Sequence, residues 1–290
     1  MEKVVAVHDG KFHADEVFAV AILKRIYPKL KIVRTRDEAV LKKANFRVDI
    51  GRKYNPKTDD FDHHQESFKL KRKNEIPYSS CGLVWKHFGR KLVNSDEAFD
   101  YIDEKLIQFI DAEDSGVKTF ETKKIFIYTI GEVISCFNPI WKESPNYDSQ
   151  FLKATEVTGK ILDREIVKAN SIKQERKIIK DALKKSDGNF IVLEKRGISW
   201  QDYIVGKTKI KFVISFSGDR WISIAVPEKI GGFEREILFP KIWMGHEEEL
   251  EKISGVKGAL FCHKDGFVAS AKTKEAIIKL TEIALKNKEK

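Results

Sequence analysis

The stretch Val4-Val5-Ala6-Val7-His8-Asp9-Gly10-Lys11-Phe12-His13-Ala14-Asp15 decides the fold class, because it joins an apolar run to a polar loop and then to a helical pattern. The apolar run at residues 4–7 has the length of a buried strand. Residues 14–26 carry apolar side chains at helical spacing, and Pro28 ends that pattern. The chain therefore begins with a strand, a polar loop and a helix.

The same alternation continues downstream. We predict strands at residues 31–35, 46–50 and 60–62, with a short helix at residues 36–43. Strands that alternate with helices predict an α/β fold, with a mostly parallel sheet flanked by helices. The chain then becomes helical, with apolar stripes or mixed apolar spacing at residues 80–88, 97–110 and 123–134.

The second half of the chain has a different pattern. Residues 151–185 form a long, charged, amphipathic stretch without proline, which ends at the turn signal Ser186-Asp187-Gly188-Asn189. Short strand patterns and a closing helix at residues 273–286 follow. We predict an α/β domain at residues 1–148, a connecting helix at 149–187 and a smaller α+β domain at 188–290.

Composition limits the classes of protein that fit. The 290 residues are 42% hydrophobic, enough for a core, and the length suits two domains or one large one. The formal net charge is +10. A basic chain favours polyanionic partners such as nucleic acid, although a lysine-rich solvated surface gives the same balance. The three cysteines lie far apart and indicate neither a disulfide framework nor a thiolate zinc site.

The sequence gives no sign of membrane insertion or targeting. No apolar run reaches the roughly 18 residues that a membrane helix needs. The first residues enter a strand directly and lack the features of a signal or transit peptide. We therefore expect a cytoplasmic protein that has no membrane partner.

A group of possible metal ligands follows the predicted strands. Phe61-Asp62-His63-His64-Gln65 combines carboxylate and imidazole, which suits Mn²⁺, Fe²⁺, Co²⁺ or Zn²⁺. His8 follows the first strand and Asp49 ends the third. The carboxyl ends of strands in an open α/β sheet meet at one cleft, so these residues are expected to lie together. Within reach we also place His13, Asp15 and, after the helix at 97–110, Asp111.

This set exceeds what a structural metal needs. About three histidines and three or four aspartates suffice for two cations that share a carboxylate, activate water and neutralise a phosphate. A single structural zinc would use four ligands and favour cysteine. Each residue alone has a simpler interpretation, since Asp15 fits a helix dipole and Asp49 fits a turn cap. Their coincidence at strand ends favours a metal-dependent hydrolase.

Several motifs together resemble the melanocyte proliferating gene family, also described as uncharacterised protein family 0160. The resemblance covers nearly the whole chain. Its motifs are His8-Asp9-Gly10-Lys11-Phe12-His13-Ala14-Asp15-Glu16, Val48-Asp49-Ile50-Gly51, Phe61-Asp62-His63-His64-Gln65, Tyr78-Ser79-Ser80-Cys81-Gly82, Asp111-Ala112-Glu113-Asp114-Ser115-Gly116 and Phe261-Cys262-His263-Lys264-Asp265-Gly266-Phe267.

The resemblance implies a branch of the DHH phosphoesterase superfamily, with a two-domain fold and 3′–5′ exonuclease activity on RNA. It also implies metal ligation by His8, Asp15, Asp49, His63 and Asp111. His64 would face the substrate phosphate. His13 stands where the superfamily usually has an aspartate, and we include it among the ligands. Of the superfamily's glycine-rich C-terminal substrate loop, residues 263–270 retain Gly266.

The resulting hypothesis is a two-metal phosphodiesterase with two Mn²⁺ ions, Mg²⁺, Co²⁺ or Zn²⁺ being alternatives. Asp49 would bridge the cations, and a metal-activated water would attack the terminal phosphodiester. Catalytic roles are expected for His64, Asp62 and Arg36. Substrate contacts are expected from Lys11, Arg220, Arg235 and His263.

Two other functions fit the same residues. The site would also serve a small-molecule phosphoesterase that hydrolyses pyrophosphate or a short oligonucleotide. The charge would also serve a nucleic-acid-binding protein without turnover. The expected partner is single-stranded RNA or a short oligonucleotide. The sequence leaves the oligomeric state open, a homodimer being one option.

Overall fold

The computed structural model describes residues 2–118, 125–247 and 249–287. The chain divides into two compact units, Met1–Ile172 and Lys173–Lys290. Among the described residues, each unit contains one five-stranded sheet. The predicted α/β class is confirmed. The domain limits at residues 148 and 187 stay a prediction.

The first sheet has the order β2-β1-β3-β5-β4. Its strands are β1 (Val4–Val7), β2 (Lys31–Arg34), β3 (Phe46–Val48), β4 (Tyr54–Asn55) and β5 (Asp60–Phe61). Four strands are parallel, and β4 pairs antiparallel with β5. The sequence did not reveal β4, because two residues are too few for a period-two pattern.

The α-helices of the first unit begin with α1 (Ala14–Ile26), whose residues Ala14 to Leu23 are all buried. A helix that is apolar almost all round is expected inside a core. The α-helices that follow it up to the long helix are α2 (Glu38–Leu41), α3 (Ser80–Phe88), α4 (Asp96–Ile102), α5 (Gln108–Asp114) and α6 (Ile130–Ser135). A π-helical turn, Asp103–Ile107, joins α4 to α5.

Two helix limits differ from the sequence prediction. Of the helix predicted at residues 123–134, residues 123 and 124 lie outside the described part, and residues 125–129 are not helical. Helix α6 begins at Ile130 because the Thr129 hydroxyl caps it, accepting a hydrogen bond from the backbone N–H of Glu132 at 3.2 Å. Asp111 lies within α5, whereas the sequence placed it after the helix.

Helix α7 (Tyr147–Lys185) is 39 residues long and extends four residues further towards the N-terminus than predicted. It belongs to both units, since the division at residues 172 and 173 falls within it. Phe151 and Leu162 pack in the core of the first unit. Ile179 packs in a core cluster of the second. The sequence correctly predicted one long helix here.

The second unit has the sheet order β6-β7-β8-β10-β9. Its strands are β6 (Phe190–Leu193), β7 (Phe212–Phe216), β8 (Trp221–Ala225), β9 (Ala259–Cys262) and β10 (Val268–Ala271), and its further α-helices are α8 (Gln201–Ile204), α9 (Leu250–Ser254) and α10 (Lys274–Lys286). The sheet is mixed, because β6 pairs parallel with β7 while the other pairs are antiparallel.

Both faces of this second sheet are covered. Phe212 and Ile214 of β7 pack in one core cluster, and Val213 between them packs in the other. This is the alternation that strand geometry requires. Within the described residues, none of the helices is long and apolar enough to cross a membrane.

Candidate metal centre

The predicted ligands meet at the carboxyl edge of the first sheet. His8 follows β1, Asp49 follows β3 and His63 lies two residues after β5. Since β1, β3 and β5 are parallel neighbours, their ends open on the same side. A cavity of about 680 Å³ lies there, with a lining that includes His13, Asp15, Asp49, His63, His64 and Asp114.

Asp49 lies at the centre of this cluster and is 5% exposed. Its carboxylate lies 3.4 Å from His8 Nε2 and 3.3 Å from His64 Nδ1, and it accepts a hydrogen bond from Ser80 Oγ at 3.2 Å. Its φ of 55° is left-handed, a conformation that aspartate tolerates better than most residues. Burial opposes ionisation, but His64 and His8 outweigh it and hold the pKa of Asp49 below its usual range.

Asp15 is a buried carboxylate at the edge of this cluster. Its side chain lies in the first turn of α1 and the residue is 1% exposed. Neither carboxylate oxygen has a hydrogen-bond partner among the described residues. Burial, followed by the charges of Asp49 and Asp114, raises the pKa of Asp15 well above its usual value. A buried carboxylate without a partner is costly, and a cation would compensate it.

His8 has the orientation of a metal-binding histidine. Its Nδ1 donates to the backbone carbonyl of Asp9 at 2.8 Å. That bond leaves Nε2 next to Glu16 Oε1 at 3.1 Å and Asp49 Oδ2 at 3.4 Å. A hydrogen bond from the second ring nitrogen to a carbonyl is the usual support of a ligating imidazole. Burial favours neutral His8, but the carboxylates of Asp49 and Glu16 outweigh it and raise its pKa to about 10.

His63 and Asp114 complete the cluster. His63 Nε2 lies 3.3 Å from Asp114 Oδ2 and 3.9 Å from Asp49 Oδ1. Burial, together with the charges of Asp49 and Glu16, raises the pKa of Asp114 to about 7. The cluster therefore contains more negative charge from buried carboxylates than its histidine side chains neutralise.

Within the part of the chain that the structure describes, four overlapping groups have ligand atoms within 4.8 Å of one another, close enough to share a cation. They are His8, His13 and Glu16; Asp49, His63 and His64; Asp15, His63 and Asp114; and Asp15, Glu16 and Asp49. Carboxylate and imidazole are donors that first-row divalent metals accept. The residues present thus fit divalent cations.

Asp62 is buried but has a different role. Its Oδ1 accepts from the backbone N–H of His64 at 3.0 Å and from His64 Nδ1 at 2.8 Å, and its Oδ2 accepts from the N–H of Arg52 at 2.6 Å. These bonds fix the His64 ring, whose side chain is 57% exposed. Hydrogen bonds to Asp49 and Asp62 raise the pKa of His64 to about 10.

The structure does not bring Asp111 into the cluster. Its carboxylate accepts from Ser79 N at 3.1 Å, Ser79 Oγ at 2.7 Å, Gly82 N at 3.0 Å and Arg72 Nε at 2.8 Å. A Cβ on Gly82 would lie 2.1 Å from Asp111 Oδ2, so this close approach requires glycine. Asp111 therefore ties the start of α3 to α5, and its predicted metal ligation stays untested.

The loop that carries His13 is held from a distant part of the chain. The side chain of Asn138 accepts from the backbone N–H of Phe12 at 3.0 Å and donates to the carbonyl of Phe12 at 2.9 Å. Phe12 is fully buried, and His13 follows it directly. Asn138 thereby positions the loop between β1 and α1.

The remaining predicted residues lie outside the cavity lining. Arg36 is exposed and pairs with Asp9 at 2.9 Å, and Lys11 is exposed on its loop. The other three belong to the second unit. Arg220 pairs with Asp219 at 2.7 Å, the Arg235 guanidinium lies 4.7 Å from the Phe267 ring, and the His263 ring lies 4.3 Å from that ring.

Sequence reasoning missed Glu16, Asp114 and Asn138 as members or supports of the site. Glu16 and Asp114 are adjacent to or near predicted ligands in the same motifs, so the carboxylate content of those motifs was the available signal. Asn138 is 126 residues from its partner Phe12. No local pattern connects the two.

Comparison with known proteins gives full-length similarity. A family model described as "Uncharacterised protein family (UPF0160)" matches residues 4–285. "MYG1 protein" of Dictyostelium discoideum is 32% identical over 309 residues, covering 94% of each chain. "MYG1 exonuclease" of Mus musculus is 29% identical over 321 residues, covering 97% of this chain and 84% of the relative. "MYG1 exonuclease" of Homo sapiens is 28% identical, covering 97% and 85%. The chain belongs to uncharacterised protein family UPF0160.

Proposed function

We propose that this protein is a metal-dependent exonuclease of the DHH phosphoesterase type that degrades single-stranded RNA from its 3′ end. The observation that carries the proposal is the buried Asp15 carboxylate, unpartnered among the described residues and surrounded by Asp49, His63 and Asp114. The mouse and human relatives are named exonucleases, which supports a nuclease activity.

The residues would hold two cations. One set consists of Asp15, His63 and Asp114, and a second is formed by His8, His13 and Glu16. Asp49 occurs in groups with members of both sets, which supports a bridging carboxylate. We propose Mn²⁺ as the resident ion, because mixed carboxylate and imidazole donors suit it.

Two bound cations would supply an acidified water and charge neutralisation at the phosphate. The protein itself contributes the imidazole ring of His64, which lies in the cavity lining in a fixed orientation. Asp62 orients His64 through two hydrogen bonds, and Asp49 and Asp62 together favour the protonated form of its ring. A protonated imidazole would donate to a phosphate oxygen as negative charge develops on it. Asp62 thus acts through His64.

A small-molecule phosphoesterase remains the second candidate. The cavity of about 680 Å³ is within the range of pockets that enclose small ligands. A dinucleotide or pyrophosphate would use the same ligands. A nucleic-acid-binding protein without turnover explains the cluster least well, because charge alone would suffice for it.

The second unit is proposed to contact substrate. Arg235 and His263 both lie against the Phe267 ring, so a guanidinium, an imidazole and a phenyl ring are close together. Such groups stack bases and neutralise phosphates in single-strand binding proteins. We also propose domain limits at residues 148 and 187 and a cytoplasmic location.

A degradation time course tests the function. Metal-stripped protein is incubated with 5′-labelled single-stranded RNA, with and without Mn²⁺. We expect a Mn²⁺-dependent ladder that shortens from the 3′ end. Asp15→Asn should abolish the ladder, while Asp163→Asn, which removes an exposed acid paired with Arg25, should leave it intact. Equal metal-dependent cleavage by Asp15→Asn would refute the proposal.

A further inference from the structure

A second cavity of about 700 Å³ adjoins the metal cavity in the first unit. Its lining includes Lys105, Phe109, Lys118, Phe126, Tyr128 and Ile130. Glu113 lines both cavities. The two spaces therefore share a wall, and a ligand that fills the first can extend into the second.

The shared wall is a built feature of the chain. Glu113 in α5 accepts hydrogen bonds from the Thr129 hydroxyl and from the backbone N–H of Gly131 at 3.1 Å. A Cβ on Gly131 would lie 2.3 Å from Glu113 Oε1, so a larger residue there would displace this carboxylate. Gly131 lines the metal cavity and Thr129 lines the second one. One segment thus forms a side of each.

The second cavity is apolar and open to solvent. The exposed fractions are 75% for Phe126, 70% for Ile125 and 62% for Tyr128. Neighbouring apolar side chains with this exposure commonly mark a binding site. Lys118 lines the same cavity and contributes positive charge.

We infer that the second cavity binds nucleobases of a single-stranded nucleic acid whose end lies in the metal cavity. Aromatic rings accept any base by stacking, and a flanking lysine neutralises backbone phosphate. Pyrophosphate would gain nothing from aromatic rings. The inference rests on the proposed function for the position of the strand end. The substrate is then an oligonucleotide of more than two nucleotides.

Binding measurements test the inference without turnover. The probe is a fluorescein-labelled 12-nucleotide oligouridine, titrated with metal-stripped protein and followed by anisotropy. The Phe126→Ser/Tyr128→Ser protein should bind about tenfold more weakly, because each lost stacking contact weakens binding appreciably. Both side chains are exposed, so the fold should tolerate the changes. Ile242→Ser, which alters an equally exposed apolar residue of the second unit, should bind like the parent.

Activity and assembly measurements separate the possible results. With Mn²⁺, the double variant should hydrolyse a dinucleotide at the parent rate but the 12-mer with a raised KM. Unchanged affinity and KM would overturn the inference. The inference would also fail if sedimentation velocity showed a dimer that the double variant disrupts while its RNA affinity stays at the parent value. The exposed apolar face would then contact a second copy of the chain. If the parent hydrolysed nothing yet the variant lost affinity, the proposed function would fail and the base-binding site would stand.

Discussion

Among the single residues of the site, Asp15 carries most of the argument for a bound cation, because it is buried beside other carboxylates. Its oxygens are unpartnered among the described residues, and Asp49 and Asp114 lie near enough to raise its pKa. Such an arrangement is unfavourable in the metal-free protein. Functional sites commonly retain groups that reduce stability in this way.

Asp15→Asn should therefore stabilise the metal-free protein. Burial and the charges of Asp49 and Asp114 raise the pKa of Asp15, so folding at neutral pH must protonate this carboxylate, a cost that asparagine avoids. We expect Tm to rise by about 2–4 °C, which is roughly what 1 kcal/mol gives in a chain of this size. Mn²⁺ should raise the Tm of the parent by mass action but not that of the variant. Scanning calorimetry with EDTA and with Mn²⁺ measures both. A lower metal-free Tm for Asp15→Asn would contradict the argument.

Asp111 and Asp114 provide a paired test. Asp114→Asn should reduce the number of Mn²⁺ ions bound in isothermal titration calorimetry and leave the fold intact. Asp111→Asn should instead lower stability by about 2–4 kcal/mol, because it leaves buried Arg72 without a full partner. Its Mn²⁺ stoichiometry should stay at the parent value. If Asp111→Asn instead lowered the Mn²⁺ stoichiometry and Asp114→Asn left it unchanged, Asp111 would be a metal ligand.

The difference between these two acids arises at the level of the helix. The π-helical turn Asp103–Ile107 precedes α5 and adds a residue to the local helical repeat. Any rotation from this turn is common to both acids, which lie three residues apart in α5: Asp111 reaches Ser79 and Gly82 at the start of α3, whereas Asp114, the last residue of α5, contacts His63. Periodicity in the sequence cannot reveal such a turn.

Strand ends were more predictable than helix faces. Parallel strands place their carboxyl ends together whatever the intervening loops, so His8, Asp49 and His63 could be grouped from the sequence. Pairings between distant segments could not. The two hydrogen bonds between Asn138 and Phe12 depend on how the chain after α6 returns to the first loop.

The Asn138 contact predicts a graded effect on the loop that carries His13. Asn138→Ala removes both hydrogen bonds to a buried backbone, which should cost about 1–3 kcal/mol of stability. Asn138→Asp keeps an acceptor for Phe12 N–H but places a carboxylate oxygen against the Phe12 carbonyl, so it should cost at least as much stability as Asn138→Ala. Mn²⁺ affinity should fall in the same order. Asn170→Ala, which removes an exposed contact with Asn94, serves as the control. Equal stability of all three variants would exclude the positioning role.

For the whole molecule, the excess of ten positive charges should distinguish a long substrate from a small one. Single-strand binding releases counterions, and the slope of log K against log salt is roughly −0.7 for each phosphate neutralised. We expect the affinity for the 12-nucleotide oligouridine to fall with a slope of about −2 or steeper between 50 and 300 mM KCl. The KM for a dinucleotide, which has one internal phosphate, should change much less. Equal slopes for the two substrates would mean that the charge is a solvated surface and that the enzyme acts on small phosphoesters.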